Sequence, residues 1–412
     1  MMTEKKKRFF QKKAFVISIC VFLAIGISLS VVRHYRTPII LYFMGSKTLP
    51  VVVVKGTWEE MGYQVGSRKE FAKDIHQLVK FFTMSVPAEK SFLYYEKVKH
   101  LLPASINEQM KGLAKGVSES MDIPFDEAWK DVIVWNFFIP NTYLKSCTAF
   151  AVTTPKGSYL AHNTDLDYLY GLGGAAIIFK PNPGLGHPFI SFFNPGFCSV
   201  SLAENLEGLA VVFNAAYPNG RDYGIPPELF LRKVIAECSS IEEVVSSFDS
   251  FIRNGGRFAH NGSNSTFLDF KTGKMVRVEI APDKVEFDYG TTDGDKKYVL
   301  ATNHYRLMPE RNGKDDFNTS SYARYERCRM LLETTDDFNM TSIFKILTDH
   351  DGKAYGTNHT ICRHEDLNKG TINSIYFDGD FTLHYILGNP CNYLKDLSLL
   401  QTIRWKEMLE KS

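Results

Sequence analysis

The chain has 412 residues, of which 44% are hydrophobic and 23% are charged, and its formal net charge is +2 at pH 7. This length and composition are typical of a globular protein with one large core. The positive charge is concentrated in the first thirteen residues: their +5, taken from the total of +2, leaves −3 for the rest of the chain. The composition therefore excludes the basic surface of a nucleic-acid-binding protein, and we predict no nucleic-acid partner.

The N-terminal segment has the pattern of a membrane signal. Six basic residues and one acidic residue in 1–13 are followed by nineteen uncharged residues, 14–32. As a helix these nineteen residues span about 28 Å, enough for the hydrocarbon core of a bilayer. We predict a basic cytosolic tail (1–13) and a transmembrane signal-anchor (14–32), with the rest of the chain outside the cytosol. The alternatives are a signal peptide that is removed and a buried core helix.

The following segment is predicted to be mostly helical from about residue 59 to 138. Breaks at Pro87, Pro103 and Pro124 divide it, and the pattern after Pro103 is typical of a helix start. We therefore treat 33–146 as a helical segment that precedes a catalytic part, 147–412.

Cys147 opens this second part. It leads a predicted strand, 146–152, which returns after a turn as a second strand, 158–165. If the chain is cut between Ser146 and Cys147, the new α-amine, which titrates at about pH 8, can take the proton of the thiol, which titrates at about pH 8.5. Before the cut this nitrogen belongs to an amide and cannot act as the base, so we expect the precursor to be inactive. Activation would be self-processing, with Cys147 attacking the Ser146 carbonyl and water hydrolysing the resulting thioester. The alternative is a free cysteine that packs as a small buried hydrophobe.

Further polar side chains follow at the ends of predicted strands and on a predicted helix. Asp165 ends the return strand and could hold or orient the liberated ammonium, with a solvated turn as the alternative. Asn214 interrupts an apolar run and Asn303 ends a short strand, so both are candidate donors to an oxyanion. Arg324 and Arg327 lie on one predicted helix face beneath a serine cap, where a solvated basic face is the alternative.

The remainder of the chain predicts a mixed architecture. Hairpin turns are expected at 271–274 and 378–380, and helices at about 227–238, 240–251 and 341–350. Because strand and helix runs are segregated, the predicted fold class is α+β.

The sequence predicts no metal site and no cofactor. It has no Cys-x-x-Cys pair, no His-x-x-x-His pair and no Gly-rich phosphate loop. His304 and His364 raise the alternative of a Cys-His peptidase, which we disfavour because Cys147 lies on a predicted strand rather than a helix. No disulfide can be assigned from the spacing of the other cysteines beyond the membrane segment, Cys198, Cys238, Cys328, Cys362 and Cys391.

With these elements the chain resembles the acyl-coenzyme A:isopenicillin N acyltransferase family of autoproteolytic cysteine N-terminal-nucleophile (Ntn) hydrolases, which are linear amide C–N hydrolases. The similarity runs from about residue 52 to 391. The motifs that carry it are Gly-x-x-x-Glu-Met-Gly-x-x-x-Gly at 56–66, Trp-Asn at 135–136, Asn-x-Asp at 163–165, Thr-Asn-His at 302–304, Ser-x-x-Arg-x-x-Arg at 321–327, Cys-Arg-His at 362–364 and Gly-x-Pro-Cys at 388–391.

The resemblance implies a four-layer αββα sandwich with Cys147 at the end of a central strand. It also implies that 33–146 is a pro-segment that stays attached as a small subunit after cleavage. The chain departs from the family pattern at two places. Many relatives have glycine where this chain has Ser146, and the choloylglycine-hydrolase and acid-ceramidase branches have arginine where it has His162, which disfavours bile-salt and ceramide substrates.

We therefore interpret the chain as a membrane-anchored, self-processing cysteine amidase or acyltransferase that acts on a linear amide such as an N-acyl amine or N-acyl amino acid. Cys147 would be nucleophile and base, Asn214 and Asn303 would stabilise the oxyanion, Asp165 would position the amine, and Arg324 would brace the site or meet a substrate carboxylate. The alternatives are an uncleaved, inactive, membrane-tethered binding protein of the same fold and a peptidase or phospholipase-B-like hydrolase.

Overall fold

The computed structural model of the chain describes residues 49–83, 87–137, 146–167, 174–218, 223–259, 261–313, 317–364 and 369–412. The predicted cytosolic tail, 1–13, and signal-anchor, 14–32, lie outside these residues. Within the described ranges, no helix is long and apolar enough to span a bilayer.

The strands form two sheets. Their bounds are β1 Val51–Gly56, β2 Ser146–Thr154, β3 Gly157–Asp167, β4 Ala175–Pro181, β5 Phe189–Phe193, β6 Leu202–Asn205, β7 Leu209–Ala216, β8 Gly262–Asp269, β9 Met275–Ala281, β10 Lys284–Asp288, β11 Thr291–Asp293, β12 Lys296–Ala301, β13 Lys369–Phe377, β14 Thr382–Leu387 and β15 Gln401–Arg404. The first sheet has the order β1-β4-β5-β6-β7-β8-β9-β10, and the second has the order β11-β12-β2-β3-β13-β14-β15. β1 pairs with β4 in parallel.

The bounds of the helices are α1 Trp58–Gly66, α2 Lys69–Thr83, α3 Ala88–Val98, α4 Ala104–Met121, α5 Phe125–Phe137, α6 Pro227–Glu237, α7 Ile241–Arg253, α8 Phe317–Thr334, α9 Met340–Leu347 and α10 Trp405–Glu410. Nine of the helices described, α1–α9, lie on the outer faces of the two sheets, while α10 contributes Trp405 and Leu409 to the core between them. One apolar core joins α1–α7 to the first sheet, a second lies between the sheets, and a third joins the second sheet to α8 and α9. The predicted α+β class with two stacked sheets is confirmed.

The segment before Cys147 is joined tightly to the first sheet. Its helices are those predicted, but the structure adds a strand, β1, that forms an edge of that sheet. The glycines of the 56–66 motif explain how α1 meets α4: a Cβ at Gly62 would lie 2.1 Å from the Gln109 carbonyl oxygen, and one at Gly66 would lie 2.2 Å from that of Leu113. Only glycine permits this backbone approach.

The predicted elements after Cys147 are largely confirmed. The turns at 271–274 and 378–380 close the β8–β9 and β13–β14 hairpins. The helices predicted near 227–238 and 240–251 are α6 and α7, and α9 ends three residues before the predicted 350.

Candidate functional site

Cys147 lies at the start of a central strand, with its side chain between the sheets. β2 is flanked by β12 and β3. Ala149 and Ala151 on β2 belong to the core between the sheets, so alternation directs the Cys147 side chain to the same face. Cys147 is 2% exposed, and its position matches the prediction of a cysteine at a strand end.

Asn303, in the turn after β12, holds the backbone of Cys147. Its Oδ1 accepts a hydrogen bond of 3.0 Å from the Cys147 amide nitrogen, the atom that cleavage would convert into an α-amine. Its Nδ2 donates to the Ala215 carbonyl oxygen at 2.8 Å, and its own amide nitrogen donates to Ser321 Oγ at 2.7 Å. Asn303 therefore acts here as an acceptor toward Cys147, in addition to the donor role that the sequence predicts.

Arg324 connects Cys147 with Asn303 from the opposite face of the second sheet. Its guanidinium donates from Nη1 to the Cys147 carbonyl oxygen and to Thr148 Oγ1, and from Nη2 to Asn303 Oδ1 at 2.8 Å. The side chain is completely buried in α8. A planar, always charged fork fixes both partners at once, which lysine cannot do.

The predicted serine cap above Arg324 is wrong in position. α8 begins at Phe317, so Ser320 and Ser321 lie inside the helix rather than at its N-cap. Their hydroxyls serve the site instead: Ser320 Oγ accepts from Arg324 Nε at 3.3 Å, and Ser321 Oγ accepts from the Asn303 amide. Arg327 pairs with Asp349 at 2.7 Å and does not reach Cys147.

Asn214 faces Cys147 from the first sheet. On β7, Ala210 and Val212 line the core between the sheets, and Asn214 follows with the same alternation. Its Nδ2 donates to the Ala301 carbonyl oxygen at 3.1 Å, and its buried Oδ1 has no hydrogen-bond partner within the described ranges. A side-chain amide nitrogen has two N–H groups, and the described contacts of Asn214 use one of them. The second N–H therefore remains for a ligand.

Asn264 is a neighbouring amide that sequence reasoning missed. It pairs directly with Asn214 across β7 and β8. Its Nδ2 donates to the carbonyl oxygens of Thr302 at 3.0 Å and His304 at 2.8 Å, which fixes the turn that carries Asn303. The only signal in the sequence was an amide within a buried strand, which is weak because serines surround it.

Asp165 lies beside the predicted cleavage bond, but on the other face of the sheet from the thiol. It pairs directly with Ser146, while Cys147 pairs with Thr164, and directly paired side chains point to the same face. Its Oδ1 accepts from Thr371 Oγ1 at 2.8 Å, and its Oδ2 lies 3.7 Å from Arg363 Nη1. Arg363 was not among the predicted site residues.

Two buried histidines near the site are neutral. Burial lowers the pKa of His162 and of His304 to about 3. His162 Nε2 bonds the Phe213 carbonyl oxygen at 3.0 Å, which bridges the sheets, and His304 Nδ1 bonds Ser321 Oγ at 2.8 Å. These contacts give both rings structural roles and do not support the Cys-His peptidase alternative.

A second cluster of reactive side chains lies where the loop after α9 meets the short 3-10 helix Pro390–Asn392, which follows β14. One ligand atom from each of His350, Cys362, His364 and Cys391 lies within 4.8 Å of all the others. A hydrogen bond from the Cys362 thiol and the nearby rings of His364 and His350 lower the pKa of the Cys391 thiol. These are the residues of the described chain that could hold a metal, although the sequence predicted none. The signal was Cys-x-His at 362–364, without a paired motif nearby.

Comparison with solved structures finds proteins to which the chain is distantly similar. Similar solved structures include the Caenorhabditis elegans ortholog of N-acylethanolamine-hydrolyzing acid amidase (15% identity, 57% of this chain and 93% of that one, TM-score 0.39) and a variant of the conjugated bile acid hydrolase from Clostridium perfringens (14%, 63% and 93%, TM-score 0.43). Penicillin V acylase from Agrobacterium tumefaciens has 13% identity, 58% and 83% coverage and a TM-score of 0.37. A search of curated proteins gives no match.

The family comparison covers more than half of the sequence. Residues 152–392 match the acyl-coenzyme A:6-aminopenicillanic acid acyl-transferase family. The matched range contains Asp165, Asn214, Asn303 and Arg324, and it begins five residues after Cys147. The resemblance stated from the motifs is confirmed, and the chain belongs to the acyl-coenzyme A:6-aminopenicillanic acid acyl-transferase family.

Proposed function

We propose that this protein is a self-processing cysteine amidase whose nucleophile is Cys147. The observation that carries the proposal is the hydrogen bond between the Cys147 nitrogen and Asn303 Oδ1, with Arg324 bound to the same oxygen and to the Cys147 carbonyl. Any buried backbone N–H needs an acceptor, but here the acceptor is a side-chain amide that a buried guanidinium holds in place. This arrangement can keep hold of the Cys147 nitrogen after cleavage, when that nitrogen would become the catalytic base.

The processing step breaks the Ser146–Cys147 peptide bond. Cys147 Sγ, having lost its proton, attacks the Ser146 carbonyl carbon, a C–S bond forms, and the C–N bond breaks as the nitrogen takes up a proton. Water then hydrolyses the thioester, which leaves a carboxylate on Ser146 and a free α-amine on Cys147. Asp165, directly paired with Ser146, lies beside this bond and positions the new ammonium.

Turnover then uses the same atoms on an external amide. The α-amine of Cys147 accepts the thiol proton, Sγ attacks the substrate carbonyl, and the amine passes the proton to the leaving nitrogen. Water hydrolyses the acyl-thioester and releases the acid. The second N–H of Asn214 is the oxyanion donor that the described contacts favour, while Asn303 Oδ1 orients the α-amine.

The substrate class follows from this chemistry and from the family. We propose a linear amide such as an N-acyl amine or N-acyl amino acid, with water rather than an amine as the usual acceptor. The pro-segment, 33–146, stays as the small subunit because β1 pairs with β4 and α1–α5 share the core of the first sheet. The membrane anchor at 14–32 and an extracytoplasmic catalytic body remain part of the proposal.

Trapping of the acyl-enzyme tests this function. Purified protein is offered N-acyl amine, N-acyl amino acid, peptide and glycerolipid substrates. One portion of each reaction is quenched with acid, and the acylated peptide is mapped by mass spectrometry; a second portion receives hydroxylamine, which converts the acyl-thioester into a hydroxamate. We expect amide hydrolysis, an acyl adduct on Cys147, and loss of both in Cys147→Ala but not in Cys238→Ala, which alters a free cysteine after α6. Turnover of glycerolipid alone would favour the phospholipase-B-like alternative, and no adduct with any substrate would favour the binding protein.

A further inference from the structure

Four potential metal ligands from three segments converge beside the second sheet. His350 follows α9, Cys362 and His364 lie farther along the same loop, and Cys391 lies in the short 3-10 helix Pro390–Asn392 after β14. His364 Nε2 lies 3.4 Å from Cys362 Sγ and 3.3 Å from Cys391 Sγ. The rings of His350 and His364 are perpendicular, with centroids 4.9 Å apart.

These separations match those of a tetrahedral metal site. With metal–sulfur bonds of about 2.3 Å and metal–nitrogen bonds of about 2.0–2.1 Å, neighbouring ligand atoms lie about 3.3–3.8 Å apart. The two sulfur–nitrogen distances fall within this range, and all four ligand atoms fit within 4.8 Å.

Two further observations point to a bound ion rather than to packing alone. The Nε2 atom of His350 is buried and has no hydrogen-bond partner in the described part of the chain, which leaves a polar atom in need of a ligand. Gly356 brings the loop against both histidines: a Cβ there would lie 2.6 Å from His364 Cδ2 and 3.0 Å from His350 Cδ2. The loop therefore encloses the cluster on the side of the rings.

We propose that His350, Cys362, His364 and Cys391 form a structural zinc site. Two thiolates and two imidazoles are a ligand set that Zn²⁺ binds tetrahedrally, and four protein ligands leave no open position for catalysis. The metal would join the 348–364 loop to the segment after β14. These two parts of the chain are far apart in sequence and are not held together by chain connectivity.

The zinc site positions residues of the catalytic centre through its own loop. Arg363, between the ligands Cys362 and His364, lies against Asp165 and bonds Asn358. Asn358 in turn accepts from Ser320, the residue that contacts Arg324 Nε. Asn389, two residues before the ligand Cys391, donates to the Arg363 carbonyl oxygen at 3.2 Å. Arg363 is therefore a positioning residue whose place depends on the metal.

Metal content of the full chain tests the proposal independently of processing or turnover. The protein is purified without a polyhistidine tag under thiol-protecting conditions, and its zinc is measured by plasma mass spectrometry. We expect about one zinc ion per wild-type chain. The Cys391→Ser and His350→Asn variants should each lose most or all of this zinc. Matched controls are Cys238→Ser and His359→Asn, the latter an exposed histidine of the same loop, and both should keep the metal.

A second measurement covers variants that fail to fold. Zinc is removed from the wild type with a chelator under reducing conditions and replaced by Co²⁺, which should give sulfur-to-cobalt charge transfer and the visible bands of a tetrahedral site. The proposal is overturned if the wild type holds no stoichiometric metal, if the ligand variants retain it, or if peptide mapping finds a Cys362–Cys391 disulfide in the native protein. A protein that binds zinc but is never cleaved would support this site and refute the proposed amidase.

Discussion

The contact between Asn303 and Cys147 allows two roles of Asn303 to be separated by substitution. As an acceptor, its Oδ1 orients the Cys147 nitrogen; as a donor, its Nδ2 would stabilise an oxyanion. Asn303→Asp keeps an acceptor oxygen beside Cys147 and Arg324 but loses the donor. Asn303→Ala loses both.

The magnitude follows from the buried contacts. In Asn303→Ala the Cys147 nitrogen and Arg324 Nη2 both lose an acceptor that lies at 3.0 Å and 2.8 Å, respectively. A buried donor left unsatisfied costs about 1–3 kcal/mol, so loss of the Cys147 contact alone should slow processing by about 5- to 150-fold. Asn303→Asp should stay within about tenfold of the wild type, because its carboxylate still accepts from both donors. Its cost is confined to the Ala215 carbonyl oxygen, which loses a donor and faces a carboxylate oxygen instead.

Pulse-labelled cell-free synthesis gives the processing rate of each variant from the decay of the intact chain. Thermal unfolding of the isolated precursors checks that both variants fold. If Asn303→Asp is as slow as Asn303→Ala, the donor role is the important one and our assignment of the acceptor is wrong. If Asn303→Ala processes at the wild-type rate, Asn303 does not act on this step.

Three further predictions concern the guanidinium of Arg324, the packing of Gly62 in the pro-segment and the buried carboxyl of Glu204. Arg324→Lys should slow processing by about 10- to 100-fold, since one ammonium cannot replace a charge-assisted fork, whereas Arg327→Lys, its matched control on the same helix, should leave the rate nearly unchanged. Gly62→Ala should lower the free energy of unfolding by about 1–3 kcal/mol in urea titrations, because its Cβ would lie 2.1 Å from the Gln109 carbonyl oxygen; an unchanged midpoint would contradict the close packing. Burial raises the pKa of Glu204 from 4.5 to about 8. Between about pH 4.5 and pH 8 the folded state therefore holds a proton that the unfolded state has released. In this range the free energy of unfolding falls by up to about 1.4 kcal/mol for each pH unit of increase. Glu204→Gln should remove that slope, and an equal slope in both proteins would show that Glu204 does not cause it.

The local elements of this fold could be predicted from the sequence because they depend on local patterns. Alternation, turn residues and helix spacing predict the hairpin from Cys147 to Asp165 and the helices α6 and α7. They also predict the amides Asn214, within a strand, and Asn303, just after one. The strand β1 did not, since its partner β4 lies more than a hundred residues away and parallel pairing leaves no mark on a short apolar run.

The contacts of the site were harder to predict than its residues. Asp165 was identified, but its partner Arg363 is two hundred residues distant. The serines of α8 have the composition of a helix cap, yet their hydroxyls bind Asn303 and Arg324. The proposed zinc ligands come from three segments, and only Cys362 and His364 are close enough in sequence to suggest a site.

The most direct test of the account is the mass of the denatured wild-type protein beside Cys147→Ala, with N-terminal sequencing of any fragment. We predict two wild-type fragments, the larger beginning at Cys147, and an intact Cys147→Ala chain. A wild-type chain that stays intact while it hydrolyses amides, or a cut before residue 147 in the alanine variant, would contradict the claim that Cys147 processes the chain and then uses its own amine as base.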